Sequence, residues 1–206
     1  MESYEPIIKT KGIIEGKFCP DDDIPLIDVS FENSLFFITS SIAIRNDLVQ
    51  KFAFGRMLGE KCILSAYEVF FLYDVCKSVN ISFNRKELWD ICSGLFQNGI
   101  FARNYFVYRY YRSLLWVVRD GSVFGCEFVL YHNHPEVVHS SFIVRILENW
   151  DNFENEALII TRIGWFLKKR GIFCVVKQPD NIDYSDPDCV DLFEIESFII
   201  KRVKFR

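Results

Sequence analysis

The chain has 206 residues, of which half are hydrophobic and 17% aromatic, so it has enough apolar material for a buried core and little scope for extensive disorder. Its formal net charge of −4 is unusual for a protein that binds nucleic acid by itself. No apolar run reaches the roughly 18 residues that a membrane span needs, and the polar N-terminus does not resemble a signal peptide.

The seven cysteines are odd in number and form no CxxC pair, so the sequence predicts neither a zinc site nor a disulfide framework. We interpret them as small core residues of a protein from a reducing compartment.

The first 97 residues predict a small α/β domain. Residues 7–18 and 34–39 are predicted strands, separated by the acidic loop CPDDDIP, and residues 42–54 are a predicted helix. Two more helices begin at capping boxes, which are formed by Ser65 with Glu68 and by Asn84 with Glu87.

Residues 98–206 predict a second domain, a mixed sheet packed by helices. A helix over 101–116 precedes two strands joined by a turn at Asp120-Gly121, and SSFIVRILE is a further strand. The helix NEALIITRIGWFLKKRG is predicted to stop at Gly171, and the strands FCVV and LFEIESFII follow. We expect the last strand to pair with a partner protein.

Positive charge is unevenly distributed. Residues 1–97 carry 10 basic and 14 acidic side chains, whereas residues 98–206 carry 14 of each. The basic clusters at 168–170 and 201–206 are of the kind that meets phosphates, although solvated helix and strand ends are the commoner role of such clusters.

All three histidines lie between residues 124 and 144, close to a tyrosine. Tyr131 ends one predicted strand and His139 opens the next, so both side chains can reach the same site at the end of the sheet. Lys169 is predicted near the end of the following helix. A phenol, an imidazole and an ammonium can serve phosphodiester cleavage, in which RNA supplies its own 2′-hydroxyl nucleophile. Tyrosine, with an ordinary pKa of about 10, needs a nearby cation to act as a base.

Other roles are open for these residues. A tyrosine at a strand end usually packs at the edge of a core, and a lone histidine is usually a structural hydrogen-bond donor or acceptor. His132 and His134 would give a metal only two ligands, with no obvious third. Composition alone favours the structural roles.

The segment YFVYRYYRSLLWVVRDGSVFGCEFVLYHNHPEVVHSSFIV resembles the signature of tRNA-splicing endonucleases, and the resemblance extends over about residues 55–205. SAYEVFFLY and TRIGWFLKKRGIFCVV resemble two further helices of that family. The positions that carry the main pattern are Tyr105, Tyr108, Arg112, Trp116, Gly121, Phe124, Gly125, Glu127, Phe128, Tyr131, His139, Phe142 and Val144.

The resemblance implies a restriction-endonuclease-like C-terminal domain within an α/β (α+β) chain. It implies Tyr131 as general base, His139 as general acid and Lys169 as the stabiliser of the transition state. The implied reaction is a metal-independent transesterification without a cofactor, a lyase reaction that leaves 2′,3′-cyclic phosphate and 5′-hydroxyl ends.

The resemblance also implies the biological setting: intron-containing pre-tRNA as substrate, a heterotetramer with other subunits, and a nuclear location. HSSFIV and the tail FEIESFIIKRVKFR look most like the subunit that cuts the 5′ splice site. The alternatives are the 3′-site subunit, a non-catalytic scaffold subunit, and a metal-dependent nuclease of the same fold, although no paired carboxylate motif supports the last.

Two departures from the family pattern concern RNA binding and the lysine. Arg162 matches an arginine that, in related subunits, sandwiches an RNA base together with a tryptophan near the C-terminus. Val203 stands at the tryptophan position here, and Phe205 lies two residues away. Lys168 is an adjacent rival to Lys169.

Overall fold

The computed structural model describes residues 16–18, 23–97, 99–151, 153–167 and 169–200, with the backbone alone described for 161–167. The chain forms two compact units. The first unit comprises residues 18–110 and 179–192, and the second comprises residues 1–17, 111–178 and 193–206, each as far as it is described. No helix in these ranges is both long and apolar enough to cross a membrane.

The first unit holds a five-stranded sheet in the order β3-β4-β2-β1-β5, in which only the β1–β5 pair is parallel. Its elements are β1 (Ile27–Glu32), β2 (Leu35–Ile38), α1 (Ile42–Gln50), β3 (Arg56–Leu58), β4 (Lys61–Leu64), α2 (Ala66–Asp74), β5 (Val79–Asn80), α3 (Arg85–Gly94) and most of α4 (Ile100–Ser113). The predicted strand at 34–39 and the predicted helices are confirmed, whereas β1, β3, β4 and β5 were not predicted. Residues 7–15 of the other predicted strand lie outside the described residues.

Both predicted capping boxes are present at the starts of α2 and α3. In α2 the carboxylate of Glu68 is buried and accepts hydrogen bonds from the backbone N–H groups of Ser65 and Gly55, each at 2.9 Å. In α3 the carboxylate of Glu87 accepts from the N–H of Asn84 at 2.9 Å, but in an exposed position. The same motif therefore serves a buried junction in α2 and a solvated helix end in α3.

The core of the first unit is aromatic. Phe70 of α2, Trp89 of α3 and Phe101 and Tyr105 of α4 contact one another edge-on or stacked, with ring centroids 5.0 to 6.3 Å apart. The polar loop at 179–192 joins this core, because the indole N–H of Trp89 donates to its backbone carbonyl at 184 over 2.8 Å. Ion pairs reinforce the attachment and join Arg85 to Asp188 and Arg109 to Asp191.

The second unit is a sheet in the order β10-β9-β8-β7-β6, antiparallel except for the β8–β9 pair. The predicted mixed α+β architecture is confirmed. The elements are β6 (Val117–Asp120), a 3-10 turn (Ser122–Phe124), β7 (Phe128–Tyr131), β8 (Phe142–Leu147), α5 (Phe153–Leu167), β9 (Arg170–Lys177) and β10 (Glu194–Ile200), and a second 3-10 turn (Pro187–Leu192) belongs to the first unit.

Helix α5 is the crossover between the parallel strands β8 and β9, and it packs on one face of the sheet. The buried cluster beneath it contains Val129, Ile143, Ala157, Ile160 and Phe173, with further members at Cys126, Leu147, Val175 and Ile200. Six described cysteines are free and five of these are buried, as their prediction as core residues required.

One local prediction in this unit is wrong, and a second is right in its strands but not in the length of their connection. The helix was predicted to stop at Gly171, but α5 ends at Leu167 and Gly171 lies in β9, where a Cβ would come within 3.0 Å of Ile160. The two strands predicted around a turn at Asp120-Gly121 are present as β6 and β7, but their connection runs over residues 121–127 and contains the first 3-10 turn. Helical periodicity does not anticipate a strand that starts so soon after its helix.

The predicted division into domains 1–97 and 98–206 stays a prediction. Packing groups residues 100–110 of α4 with the N-terminal elements because Phe101 and Tyr105 belong to the aromatic core of the first unit.

We expect Glu68→Ala to lower the free energy of unfolding by about 2–3 kcal/mol, because the buried N–H of Gly55 and the partly buried N–H of Ser65 lose their acceptor. Glu87→Ala is the matched control and should cost no more than about 1 kcal/mol, since water replaces the exposed carboxylate. Urea denaturation of the full chain followed by circular dichroism measures both. Equal losses in the two variants would contradict the buried role of Glu68.

Candidate functional site

One end of the second sheet collects the chain segments that carry the predicted site. Strand β7 ends there at Tyr131, while β8 and β9 begin there at Phe142 and Arg170. Leu130, Phe142 and Arg170 lie in one register row across the three strands. Tyr131 and Lys169 each stand one residue beyond that row, so two strand spacings, or about 10 Å, separate their Cα atoms.

Tyr131 and Lys169 also share a face of the sheet. Tyr131 is half-buried and packs against the cluster beneath α5. Phe124 packs against the same cluster, and the ammonium of Lys169 lies 5.8 Å from the centroid of the Phe124 ring. Both side chains are therefore on the α5 side, as a joint site requires.

His139 lies in the connection between β7 and β8 and is exposed. The predicted turn at Pro135 is present, and the N–H groups of Val137 and Val138 both donate to the carbonyl of His134. The carbonyl of Ser140, the next residue after His139, accepts a hydrogen bond from the ammonium of Lys169 at 3.4 Å. This bond fixes the segment that carries His139 beside Lys169.

Lys169 is not in a helix. It lies two positions after Leu167, the last residue of α5, and directly precedes β9, so it is close to the helix end, as predicted. Its side chain is half-buried, and this loss of solvent lowers the pKa of the Lys169 ammonium. The ammonium of Lys169 is held in position by the Ser140 carbonyl and the Phe124 ring, and its backbone stands at the start of β9.

Phe124 is a member of the site whose contact with Lys169 was not predicted. It closes the 3-10 turn, in which its N–H donates to the carbonyl of Gly121 at 2.8 Å. Gly121 has no room for a side chain, because a Cβ would lie 2.6 Å from the sulfur of Cys126, and Gly125 has a left-handed φ of +66°. The neighbouring Val123 is 87% exposed, so the turn directs one apolar side chain inward and one to solvent.

Ser141 is a second unpredicted polar group at this end of the sheet. Its N–H donates to the carbonyl of Leu130 at 2.7 Å and its carbonyl accepts from Arg170, which fixes its backbone between β7 and β9. Its hydroxyl lies 3.3 Å from Nδ1 of His132. His132 is thus engaged within the loop, and Nδ1 of His134 accepts from the N–H of Glu136 at 3.2 Å.

The remaining predicted positions are only partly described. Arg162 belongs to α5 by its backbone, but its side chain lies outside the described residues, as do Lys168, Val203 and Phe205. The predicted RNA-binding role of Arg162 therefore stays a prediction, and Lys168 stays an alternative to Lys169.

The arrangement provides a phenol, an imidazole and a poorly solvated ammonium at one end of one sheet. A fixed cation in a site of low water content interacts strongly with negative charge that develops nearby. A phenol and an imidazole at strand termini can exchange protons with a bound substrate. Together, these three groups can transfer protons to and from a phosphodiester and stabilise the negative charge on it.

Comparison with known proteins points to one family. A family model described as tRNA intron endonuclease, catalytic C-terminal domain, matches residues 101–184. The tRNA-splicing endonuclease subunit Sen2-1 of Arabidopsis thaliana is 27% identical, and the alignment covers 96% of this chain and 88% of that protein. The probable tRNA-splicing endonuclease subunit Sen2 of Oryza sativa is 29% identical over 68% of this chain and 52% of its own length.

A fungal relative is more similar over a shorter stretch. The tRNA-splicing endonuclease subunit SEN2 of Saccharomyces cerevisiae is 43% identical over 100 residues, which are 48% of this chain and 25% of that protein. The chain therefore spans most of the Arabidopsis protein, but about half or less of the rice and yeast proteins.

We expect Phe124→Ala to raise the pKa of Lys169 towards that of an ordinary lysine, because burial lowers it and the smaller side chain admits water. The pH dependence of Lys169 acetylation by acetic anhydride, followed by peptide mass spectrometry, measures the pKa. Val123→Ala, in the same turn but exposed, is the control and should leave it unchanged. A pKa that does not rise in Phe124→Ala would contradict the contact.

Proposed function

We propose that this chain, which belongs to the tRNA-splicing endonuclease family, is a catalytic subunit that cuts intron-containing precursor tRNA at the 5′ splice site. The match of residues 101–184 to the catalytic domain identifies it as a tRNA-intron endonuclease. The proposed site is supported mainly by the register of β7, β8 and β9. This register places Tyr131 and Lys169 at the same end and on the same face of the sheet. The choice of the 5′ site is supported by the resemblance of residues 139–144 and of the tail.

Tyr131 is the general base in this proposal. Its phenolate takes the proton of the 2′-hydroxyl, and the 2′-oxygen then attacks the adjacent phosphorus. Lys169 lies on the same face of the sheet as Tyr131, so the base and the cation can act on one bound phosphodiester.

His139 is the general acid. As the bond between phosphorus and the 5′-oxygen breaks, its imidazolium donates a proton to that oxygen, which leaves as a 5′-hydroxyl. The 2′-oxygen stays bonded to phosphorus, so the other product ends in a 2′,3′-cyclic phosphate. An exposed imidazole suits this role, because histidine titrates near neutral pH and water can return its proton.

Lys169 stabilises the negative charge that collects on the non-bridging phosphate oxygens. Its half-buried position supports this role, because electrostatic attraction is stronger where less water screens it. The hydrogen bond to Ser140 and the Phe124 ring hold the ammonium before the substrate arrives, so little reorganisation is needed. No step of this reaction requires a metal ion.

We further propose that the chain works in the nucleus as part of a heterotetramer. Within the described part of the second unit, β10 pairs with β9 alone and is an edge strand of seven residues. A long edge strand is suited to pairing with another polypeptide, and the relatives that match are named as subunits. Partner subunits would also supply RNA-binding surface that an acidic chain lacks.

The His139→Ala variant, reconstituted with its partner subunits, should lose the 5′ cut by about 10²- to 10⁴-fold while assembly and the 3′ cut persist. Gel analysis of cleaved pre-tRNA and gel filtration of the assembly measure the two properties. His134→Asn, which keeps a hydrogen-bond acceptor in the same loop, should cut at the wild-type rate. Loss of the 3′ cut would assign the other splice site, and normal cutting at both sites would exclude the catalytic role.

Replacing the 2′-hydroxyl next to the scissile phosphate by hydrogen should abolish that cut, because the nucleophile is removed. Excess EDTA should leave cutting of the all-ribose pre-tRNA unchanged. End analysis of the products should find a 2′,3′-cyclic phosphate. Cleavage of the 2′-deoxy substrate would require an attacking water and would contradict the proposed reaction, and inhibition by EDTA would favour a metal-dependent nuclease.

A further inference from the structure

The two ends of the second sheet differ in charge. At the end where β7 finishes and β8 and β9 begin lie the cations Lys17, Lys169 and Arg170, which we call the basic end, and Glu136 is the described carboxylate of the loop there. At the opposite end, carboxylates stand in or beside the strand termini at Asp120, Glu127, Glu148 and Glu194, with the cation Lys177. The chain as a whole is acidic, but this unit is polarised along its strands.

Lys17 is anchored to the basic end by its backbone. The N–H of Gly16 donates to the carbonyl of Leu114 at 2.7 Å, and the N–H of Lys17 donates to the carbonyl of His132 at 3.1 Å. A Cβ on Gly16 would lie 2.0 Å from the carbonyl oxygen of Leu115, so the segment can approach this closely only with glycine there. The Lys17 side chain is exposed, and its backbone lies beside His132, the residue that follows Tyr131.

Arg170 is fixed on the other face of the sheet from Lys169. Its guanidinium lies 4.3 Å from the centroid of the Phe142 ring, and its side chain is exposed. Stacking on an aromatic ring orients a guanidinium while leaving its N–H donors available. Lys169 and Arg170 therefore present cations on both sides of the same strand terminus.

Two other described cations of the unit are neutralised where they stand. Arg145 is paired with Glu127 and Glu156, and Lys177, the last residue of β9, is paired with Glu196 at 2.6 Å. Among the described residues, no carboxylate forms an ion pair with Lys17, Lys169 or Arg170. Three described cations without an ion-pair partner are thus gathered at the end of the sheet that holds Tyr131 and His139.

We infer that Lys17 and Arg170 bind the phosphates of the RNA strand on either side of the scissile phosphate, which Lys169 faces. This inference rests on the proposed function and names two contacts that the reaction itself does not need. Phosphate is the group suited to this surface, because Lys17 supplies a mobile point charge and Arg170 a fixed planar fork. The cations gathered at the basic end explain how a chain with a net charge of −4 binds a polyanion.

The test is the salt dependence of RNA binding. The assembly is titrated with fluorescent pre-tRNA carrying a 2′-deoxy nucleotide at the cleavage site, and anisotropy gives Kd between about 50 and 300 mM KCl. Lys17→Ala and Arg170→Gln should each weaken binding roughly five- to tenfold near 0.1 M salt. Each should also reduce the slope of log Kd against log salt by about 0.7–0.9, as the loss of one phosphate contact requires.

Two controls make the result specific. Lys177→Ala removes a cation from the other end of β9 and should leave Kd and slope unchanged, and Arg170→Lys should keep the wild-type slope. If Lys17→Ala and Arg170→Gln match Lys177→Ala, the inference is overturned. An unchanged slope with loss of subunit assembly would also overturn it and identify an acidic protein surface as the partner.

The proposed function can fail separately. If wild-type assembly does not cut all-ribose pre-tRNA but both variants still lose affinity and slope, the phosphate-binding surface stands and the catalytic proposal falls.

Discussion

The register of three neighbouring strands is the constraint on which the rest of the site depends. Leu130 of β7, Phe142 of β8 and Arg170 of β9 are held side by side by backbone hydrogen bonds. Because β8 and β9 are parallel, the chain must cross over through α5 before it can return to the end where β8 began. That crossover brings Lys169, nearly 40 residues after Tyr131, to the same end of the sheet.

The crossover keeps this register because α5 is fixed to the sheet by both apolar and charged contacts. Ala157 and Ile160 enter the buried cluster, while Arg145 of β8 reaches Glu156 of α5 at 2.9 Å and Glu127 at 3.1 Å. The other oxygen of Glu127 accepts from the backbone N–H of residue 146 at 2.8 Å. These groups lie towards the end of the sheet opposite the basic end, and they join α5 to β8 without touching Lys169.

The sequence was most informative where structure is decided locally, and least where it is decided by tertiary packing. Capping at Ser65 and Asn84 depends on residues three positions apart, and both helix starts were predicted correctly. The end of α5 depends instead on β9 pairing with β8, and Gly171 was therefore misread as a helix stop although it makes room for Ile160. Tyr131, His139 and Lys169 were identified from the family pattern, whereas Phe124 in contact with Lys169 and Lys17 beside His132 depend on contacts that no spacing reveals.

The different solvent exposures of the proposed catalytic groups suit different tasks. A general acid must recover its proton after each turnover, so His139 benefits from standing in the exposed loop. A charge that stabilises a transition state changes protonation in no step, so Lys169 benefits from the partial loss of water that lowers its pKa. Deeper burial would lower the pKa of Lys169 further, until the amine was neutral and could no longer stabilise negative charge on the phosphate. The carbonyl of Ser140 offsets this effect, since it favours the charged ammonium, and this balance explains why a strand start rather than a deep core carries the lysine.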